Sequence, residues 1–548
     1  MIDGHKELGT HTVTNQVPIL EDVNLYTLDK PLKESVHRHG GLWADEHLRT
    51  FGAMIGSSQC MEDGRLANVH SPILHTHDRF GHRIDEVEFH PAYHNIMKLA
   101  KESRVHSIAW EGKNGGHVAH AALEFLLTQV EAGTCCPLTM TYAAIPALER
   151  QGGWAADIAD RLKNPVYDSR FVPISEKKGI TMGMAMTEKQ GGSDVRANTT
   201  HAMHLHKDVY LLQGHKWFCS APMSDAFLTL AQTEKGLTCF FVPRIKPDGT
   251  RNEFFIQRLK NKLGNRSNAS AEIEYQGTWA RRLGGEGQGV RTIIEMVHHT
   301  RLDCAVAAVG LQRRALTQAI HHANYRTAFG KRLIEQPLMR NVLADLSVEY
   351  DANLSMVFRV ARTYDEQTHS GIGGGFSRLA VAVAKYWTNK RTANFIGETM
   401  ECLGGGGYIE ESIMPRLYRE APLNGIWEGS GNVICLDILR TMKKEPDSVE
   451  QFFSEIQQSK GMDGDLDREV EQLKFQLSNA DDIAFQARRL VERMALIFQG
   501  SLLLQHGNPD VAEVFLQTRI RNKGGRAYGT LENIAGVEHI LQRMNPNV

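Results

Sequence analysis

Residues 424–436 read NGIWEGSGNVICL, which sets one carboxylate, Glu428, between bulky Trp427 and the small pair Gly429 and Ser430. A Glu placed after an aromatic residue and before Gly-Ser-Gly suits a constricted turn whose carboxylate points into a pocket. Burial there raises its pKa toward the range of a useful general base. A Glu in a Gly-containing turn is more often a solvated surface charge, so the stretch gains meaning from a second one, MAMTEKQGGSD at residues 184–194. Its Thr, Gly-Gly, Ser and Asp offer two hydroxyls and unhindered backbone N–H groups. That set suits approach to a planar heterocycle and a neighbouring phosphate, where the plainer alternative is a β-turn.

Working outward, the 548 residues exceed one ordinary core and suggest about three or four domains. Formal charge is -2 and the pI near 6.9, so nothing global points to nucleic acid or an anionic membrane. The eight cysteines form no CxxC pair, and Cys135 and Cys136 are adjacent, which fits free thiols in a reducing cytosol. The first thirty residues hold no signal-type apolar core, and no run approaches the roughly 18 to 20 residues of a membrane span. These features lead to the expectation of a cytoplasmic enzyme or binding protein with no membrane partner. Neither LGGEGQG (283–289) nor LGGGGY (403–408) is expected to have the strand before and helix after that a dinucleotide fingerprint requires.

Apolar spacing of three and four predicts helices near 30–40, 44–62, 90–102, 115–132 and 142–163, after an extended arm at 11–25. The His-rich stretch 70–82 reads as a loop. His75, His77 and His82 in it have no Cys or carboxylate at structural-zinc spacing, so no metal site is expected. Between 181 and 289 the texture becomes short apolar runs split by Gly, Pro, Asn and Asp, the marks of an antiparallel sheet or barrel. Long helical segments follow at 290–326, 337–367 and 376–403, and a fourth after Gly431, enough for a four-helix bundle. The reading is therefore mostly α with a central β domain: 1–180 arm and helices, 181–289 sheet, 290–442 bundle, and a C-terminal helical domain at 443–548.

That last domain splits its charge. Residues 445–484 carry eleven acids against three bases, and 485–548 carry eight bases against five acids. Arg519, Arg521, Lys523 and Arg526 form the best candidate cluster for phosphate contacts, although short basic clusters are usually solvated helix faces.

Several motifs together resemble the acyl-CoA dehydrogenase superfamily: MTEKQGGSD (186–194), GHKWFCS (214–220), YRTAFG (325–330), ECLGGGGY (401–408), PRLYRE (415–420) and IWEGSGN (426–432). HTVTNQVPI (11–19), GRLANV (64–69), KLGNRSNAS (262–270) and the added helical domain are similar to the AidB-type, alkylation-response branch. The resemblance implies an acyl-CoA dehydrogenase-like fold holding extended FAD in a homotetramer. Met184, Ala185, Met186, Thr187, Gly192, Ser193, Phe218, Cys219, Ser220, Ser430 and Asn432 would then line the flavin. Arg326, Phe329 and Gly405 would reach the adenine and pyrophosphate half of a neighbouring subunit's FAD, and Glu428 would be the catalytic base removing the α-proton of an acyl-CoA. Arg301 and Arg440 would lie on the substrate side. The branch further implies binding and protection of double-stranded DNA through the C-terminal domain, with weak or specialised dehydrogenase activity. A dedicated dehydrogenase without a DNA role and a non-catalytic acyl-chain binder are the alternatives. Phe218-Cys219 replace the Trp usual beside the flavin, Ser220 the usual Thr, His298 a frequent acid and Glu401 a common Gln.

Overall fold

A computed structural model describes residues 12–371, 373–479 and 481–546. His11, the first residue of the expected arm, lies outside the described residues, as does position 372 in the Gly-rich stretch 371–375. The described arm rests on the end of the first bundle helix, where His321 Nε2 donates to Pro18 O at 2.8 Å and Arg326 Nη1 to Asn15 O at 2.5 Å.

The N-terminal unit contains α1 (Lys30–Arg38), α2 (Asp45–Ile55), α3 (Ser58–Val69), α4 (Pro91–Glu102), α5 (Gly116–Thr128), α6 (Cys135–Gln151) and α7 (Trp154–Lys163). The α1 start is written in sequence: Asp29 accepts from Leu32 N at 3.1 Å, and Pro31 follows where a missing N–H costs nothing. Two helices expected as continuous are broken. Ser57 caps α3 through Cys60 N, and Gly152-Gly153, both at positive φ, separate α6 from α7. The His-rich stretch is no loop but part of a hairpin, β1 (Ile73–His77) paired antiparallel with β2 (Arg83–Glu88). His75 there meets Glu88 at 2.8 Å and His82 meets Asp78 at 2.9 Å.

The β domain comprises β3 (Met182–Ala185), β4 (His201–His206), β5 (Val209–Ser220), β6 (Ala226–Thr233), β7 (Gly236–Pro243), β8 (Phe254–Leu259) and β9 (Ser270–Leu283). The path β3-β6-β4-β5-β9-β7 closes on itself through β6–β7 pairing, with β8 added on β9, so this is a barrel. Most pairs are antiparallel as expected, but β3 runs parallel to β6 and β4 touches β6 through one parallel bridge. Closure leaves the barrel core to buried Phe227, Phe240, Phe254 and Tyr275.

The bundle is made of α8 (Gly289–Tyr325), α9 (Pro337–Ser370), α10 (Gly374–Cys402) and α13 (Gly431–Lys444). A small hairpin, β10 (Thr327–Ala328) and β11 (Lys331–Arg332), joins the first two, while short α11 (Gly405–Tyr408) and α12 (Met414–Glu420) lead to α13. Finally α14 (Pro446–Ile456), α15 (Gly464–Asn479), α16 (Ile483–His506), α17 (Pro509–Phe515) and α18 (Val537–Met544) pack on the bundle, sharing its apolar core. A buried amide ladder ties the layers: Gln499 Nε2 donates to Asn353 Oδ1 at 2.8 Å, and Asn353 Nδ2 to Gln312 Oε1 at 3.0 Å. These two bonds can form only in one register, which fixes α16 against α9 and α8.

Candidate active site

Glu428 sits in the turn before α13 with φ of +56°, a left-handed conformation that costs a non-glycine residue about 1–3 kcal/mol. Gly429 continues the turn at φ +102°, and a Cβ there would stand 2.9 Å from Ile434 Cδ1. Two cations hold the turn. Lys385 Nζ, from α10, donates to Trp427 O at 2.8 Å and also to Gly429 O, while Arg301 Nε, from α8, donates to Glu428 O at 3.2 Å. The carboxylate itself accepts from Thr300 Oγ1 at 2.7 Å. Burial pushes the Glu428 pKa up; the Thr300 hydrogen bond and the Lys385 and Arg301 charges oppose without reversing it. A carboxylate so shifted, with one hydroxyl to orient it, is suited to taking a proton from carbon.

The two arginines expected on the substrate side do different things. Arg301 is buried and committed, with Nη1 donating to Asp437 Oδ2 at 2.7 Å besides its bond to the Glu428 carbonyl. It braces the base turn through Nε and Nη1. Arg378 Nη2 binds the other Asp437 oxygen at 2.8 Å. Burial favours protonation of Asp437, but Arg378 and Arg301 outweigh it and carry the pKa to about 2. Arg440 approaches Asp437 only at 3.8 Å with its side chain 65% exposed, so it lies outside this braced cluster.

On the barrel side, the loop after β3 is anchored by a fully buried pair, Lys216 Nζ to Glu188 Oε1 at 2.8 Å. Glu188 also accepts from Thr199 N at 2.6 Å and Thr200 N at 3.2 Å. The loop is thus held at its base while Gly192 and Ser193 stay exposed. Thr187 Oγ1 lies 2.5 Å from where a Cβ on Gly192 would fall, so only glycine lets the hydroxyl and the loop backbone face the same space. Met184 and Met186 are half-buried and pack against the same apolar cluster as Trp427, and Cys136 on α6 lies near Ser220 and within electrostatic reach of Glu428. The start of the barrel loop and the turn that carries Glu428 therefore pack against one apolar cluster. Phe218 is 51% exposed. Ala185 and Cys219 are directed differently, their side chains lying in the barrel core, so they contribute backbone alone. Ser430 is half-buried just before α13 and Asn432 is exposed in its first turn.

Arg326, Phe329 and Gly405 stand apart from this group. Arg326 and Gly405 line a groove of about 1450 Å³ with Glu401, Arg314 and the arm residues 16–21. Phe329, at φ +53° on the β10–β11 turn, is 99% exposed. In the C-terminal region the expected basic patch is divided. Arg519 Nη2 binds Asp345 at 2.5 Å and Glu349 at 3.3 Å, and Arg521 is shared among Asp463, Asp465 and Glu513. Both are spent inside the chain, a correction to their reading as phosphate contacts; Lys523 and Arg526 remain exposed. Among the described residues no group of three or more His, Cys, Asp or Glu could hold a metal ion.

Sequence reading missed Thr300, Lys385, Asp437, Arg378, Glu188 and Lys216. A signal for two was present: Lys385 is the lone charge in the apolar run AVAVAKYW, and Glu188 lies inside the loop motif. The others are recognisable only through their partners.

A helical layer, a closed barrel and a long antiparallel bundle, with a half-buried Glu on a left-handed turn ahead of the last bundle helix, define an acyl-CoA dehydrogenase-like protein. Residues 183–278 match the acyl-CoA dehydrogenase middle domain, 287–443 the acyl-CoA dehydrogenase C-terminal domain and 15–169 the adaptive response protein AidB N-terminal domain. The chain belongs to the acyl-CoA dehydrogenase family, in its AidB-type branch. It is 45% identical over 523 residues to AidB of Escherichia coli (strain K12), covering 94% of this chain and 95% of that one. Acyl-CoA dehydrogenase family member 11 of Caenorhabditis elegans is 30% identical over 522 residues, 88% of this chain and 83% of that one. The crystal structure of C. elegans ACDH-11 in complex with C11-CoA superposes with a TM-score of 0.84 at 28% identity, covering 99% of this chain and 93% of that chain.

Proposed function

We propose that this protein is an FAD-dependent dehydrogenase that oxidises an acyl-CoA between its α and β carbons, with Glu428 as the base. The observation that carries the reading is the Glu428 carboxylate, half-buried on a left-handed turn and bonded to Thr300, with Cys136 near both it and Ser220 at the end of β5. Glu428 Oε takes the α-proton, Thr300 keeps the carboxylate aimed, and half-buried Trp427 keeps water from its flank. Enolate charge on the thioester oxygen calls for N–H donors that strengthen as it forms. Bound FAD supplies the acceptor for the β-hydride. The donor set fits such a cofactor: hydroxyls at Thr187, Ser193 and Ser220, exposed loop backbone, and apolar Met184, Met186 and Phe218 for a flat ring. The second set, Arg326 and Gly405 in the groove with exposed Phe329, supports a homotetramer in which one subunit reaches its neighbour's FAD. An acyl-CoA as substrate is supported by the C11-CoA complex of the C. elegans relative.

The eight unpaired, buried cysteines support a reducing, cytoplasmic setting, and among the described residues no helix is long and apolar enough to cross a membrane. A role in the response to DNA alkylation, with duplex binding, rests on the likeness to AidB of E. coli and on Lys523 and Arg526, with Arg488 and Arg489 also exposed on α16. The dehydrogenase reading is tested by anaerobic titration of the FAD-loaded protein with acyl-CoAs of several lengths and branchings. Bleaching of the flavin by one class supports it and names the substrate; no bleaching by any, with flavin still reducible by dithionite, overturns it.

A further inference from the structure

Lys385 is 1% exposed and flanked on α10 by apolar positions, yet it carries an ammonium. A buried lysine is tolerated only where its N–H groups are used. Here they are used on the two carbonyls that bracket Glu428, Trp427 O at 2.8 Å and Gly429 O. Arg301 takes the carbonyl between them, so three successive peptide oxygens turn toward two cations. That arrangement accompanies the left-handed φ of +56° at Glu428, a conformation uncommon for an L-residue.

We propose that Lys385 is the positioning residue of this site, fixing both peptide planes around Glu428 and so the aim of its carboxylate and of its backbone N–H. The inference rests on the reading of Glu428 as the base. The chain has no cis peptide bonds among the described residues, so the Glu428 N–H leaves its peptide on the side away from the Trp427 oxygen that Lys385 holds. An ammonium on that oxygen polarises the peptide and makes the N–H a better donor. Such a donor is what a thioester carbonyl requires as negative charge develops.

The groups facing Lys385 are Cys304 and Arg301 from α8, Glu428 from the turn and Lys390 from α10 itself. Burial, joined by Arg301 and Lys390 and opposed by Cys304 and Glu428, brings its pKa down to about 8. Deprotonation then removes the charge from behind the Glu428 peptide, and flavin reduction should fall on the alkaline side near that value.

The test compares FAD-loaded wild type with Lys385→Met and Lys385→Arg. It reads flavin reduction by acyl-CoA against pH, and amide hydrogen exchange of residues 424–432 by mass spectrometry. For Lys385→Met the expected result is about a 100-fold slower reduction at saturating substrate, with little change in KM, no alkaline limb and faster exchange of the turn. For Lys385→Arg, which keeps a cation that does not titrate, partial rate should return and the limb move out of range. Wild-type rate, pH profile and exchange in Lys385→Met would overturn the proposal while leaving Glu428 as base. If wild type reduces no flavin, the base reading fails, and unchanged exchange in the variant overturns the positioning role independently. Should Lys385→Met not fold, Lys385→Arg decides: an unmoved alkaline limb overturns the proposal.

Discussion

Thr300 Oγ1 donates a 2.7 Å hydrogen bond to Glu428 Oε2, joining residues 128 positions apart. One turn of α8 thereby carries both the group that orients the carboxylate and, at Arg301, the group that braces its backbone. Because the hydroxyl favours the charged form, Thr300→Val should raise the Glu428 pKa further. The acid limb of the rate profile then moves to higher pH, and the rate at neutral pH falls about tenfold, the worth of one hydrogen bond to a charged group. Stopped-flow flavin reduction across pH measures both.

Glu428 also weighs on stability. Its pKa is higher in the folded chain than in an unfolded one, so folding is favoured while the group is protonated. That contribution is lost as pH rises through the folded value. Glu428→Gln should therefore have a higher thermal midpoint than wild type at pH 8, and the difference should vanish below about pH 4. Calorimetry at several pH values checks the convergence.

The pair Glu188–Lys216 holds the loop that carries Thr187. Removing one partner leaves the other charge buried, so Lys216→Met should cost about 3–5 kcal/mol by chemical denaturation. Burial alone would raise the Glu188 pKa, but Lys216 and the Thr199 and Thr200 donors outweigh it and hold it at about 2. With the folded value below the unfolded one, this contribution is complete above the ordinary carboxylate range. It is lost as pH falls toward 2.

If duplex DNA is bound, Lys523 and Arg526 should carry part of the salt dependence. Neutralising both should lower the slope of log affinity against log salt by up to about two. Arg519→Gln should instead destabilise the fold, since its guanidinium is locked to Asp345 and Glu349. Fluorescence anisotropy with labelled duplex, run beside melting curves, separates the two effects.

The carboxylate and the barrel loop were legible because each is a local run of small residues around one functional group. The bundle was legible because its helices are long enough for their apolar stripes to repeat. Strand β6 was not: AFLTLAQT is buried along most of its length, so it lacks the alternation that marks a half-exposed strand. Strand β4 failed oppositely, its HAMHLH being largely exposed. Arg519 and Lys385 show why sites are harder than folds. Each charge is visible in the sequence, but its meaning lies in partners 174 residues away for Arg519, and 42 and 44 residues away for Lys385.

As the base, Glu428 removes a proton from the α-carbon of the acyl-CoA. That role is tested most directly by incubating wild type and Glu428→Gln with the same acyl-CoA in D2O without an electron acceptor, and following deuterium at that carbon by mass spectrometry. Wild type should incorporate deuterium, and the variant should do so at a rate about 100- to 10,000-fold lower. Equal incorporation by both proteins would contradict it.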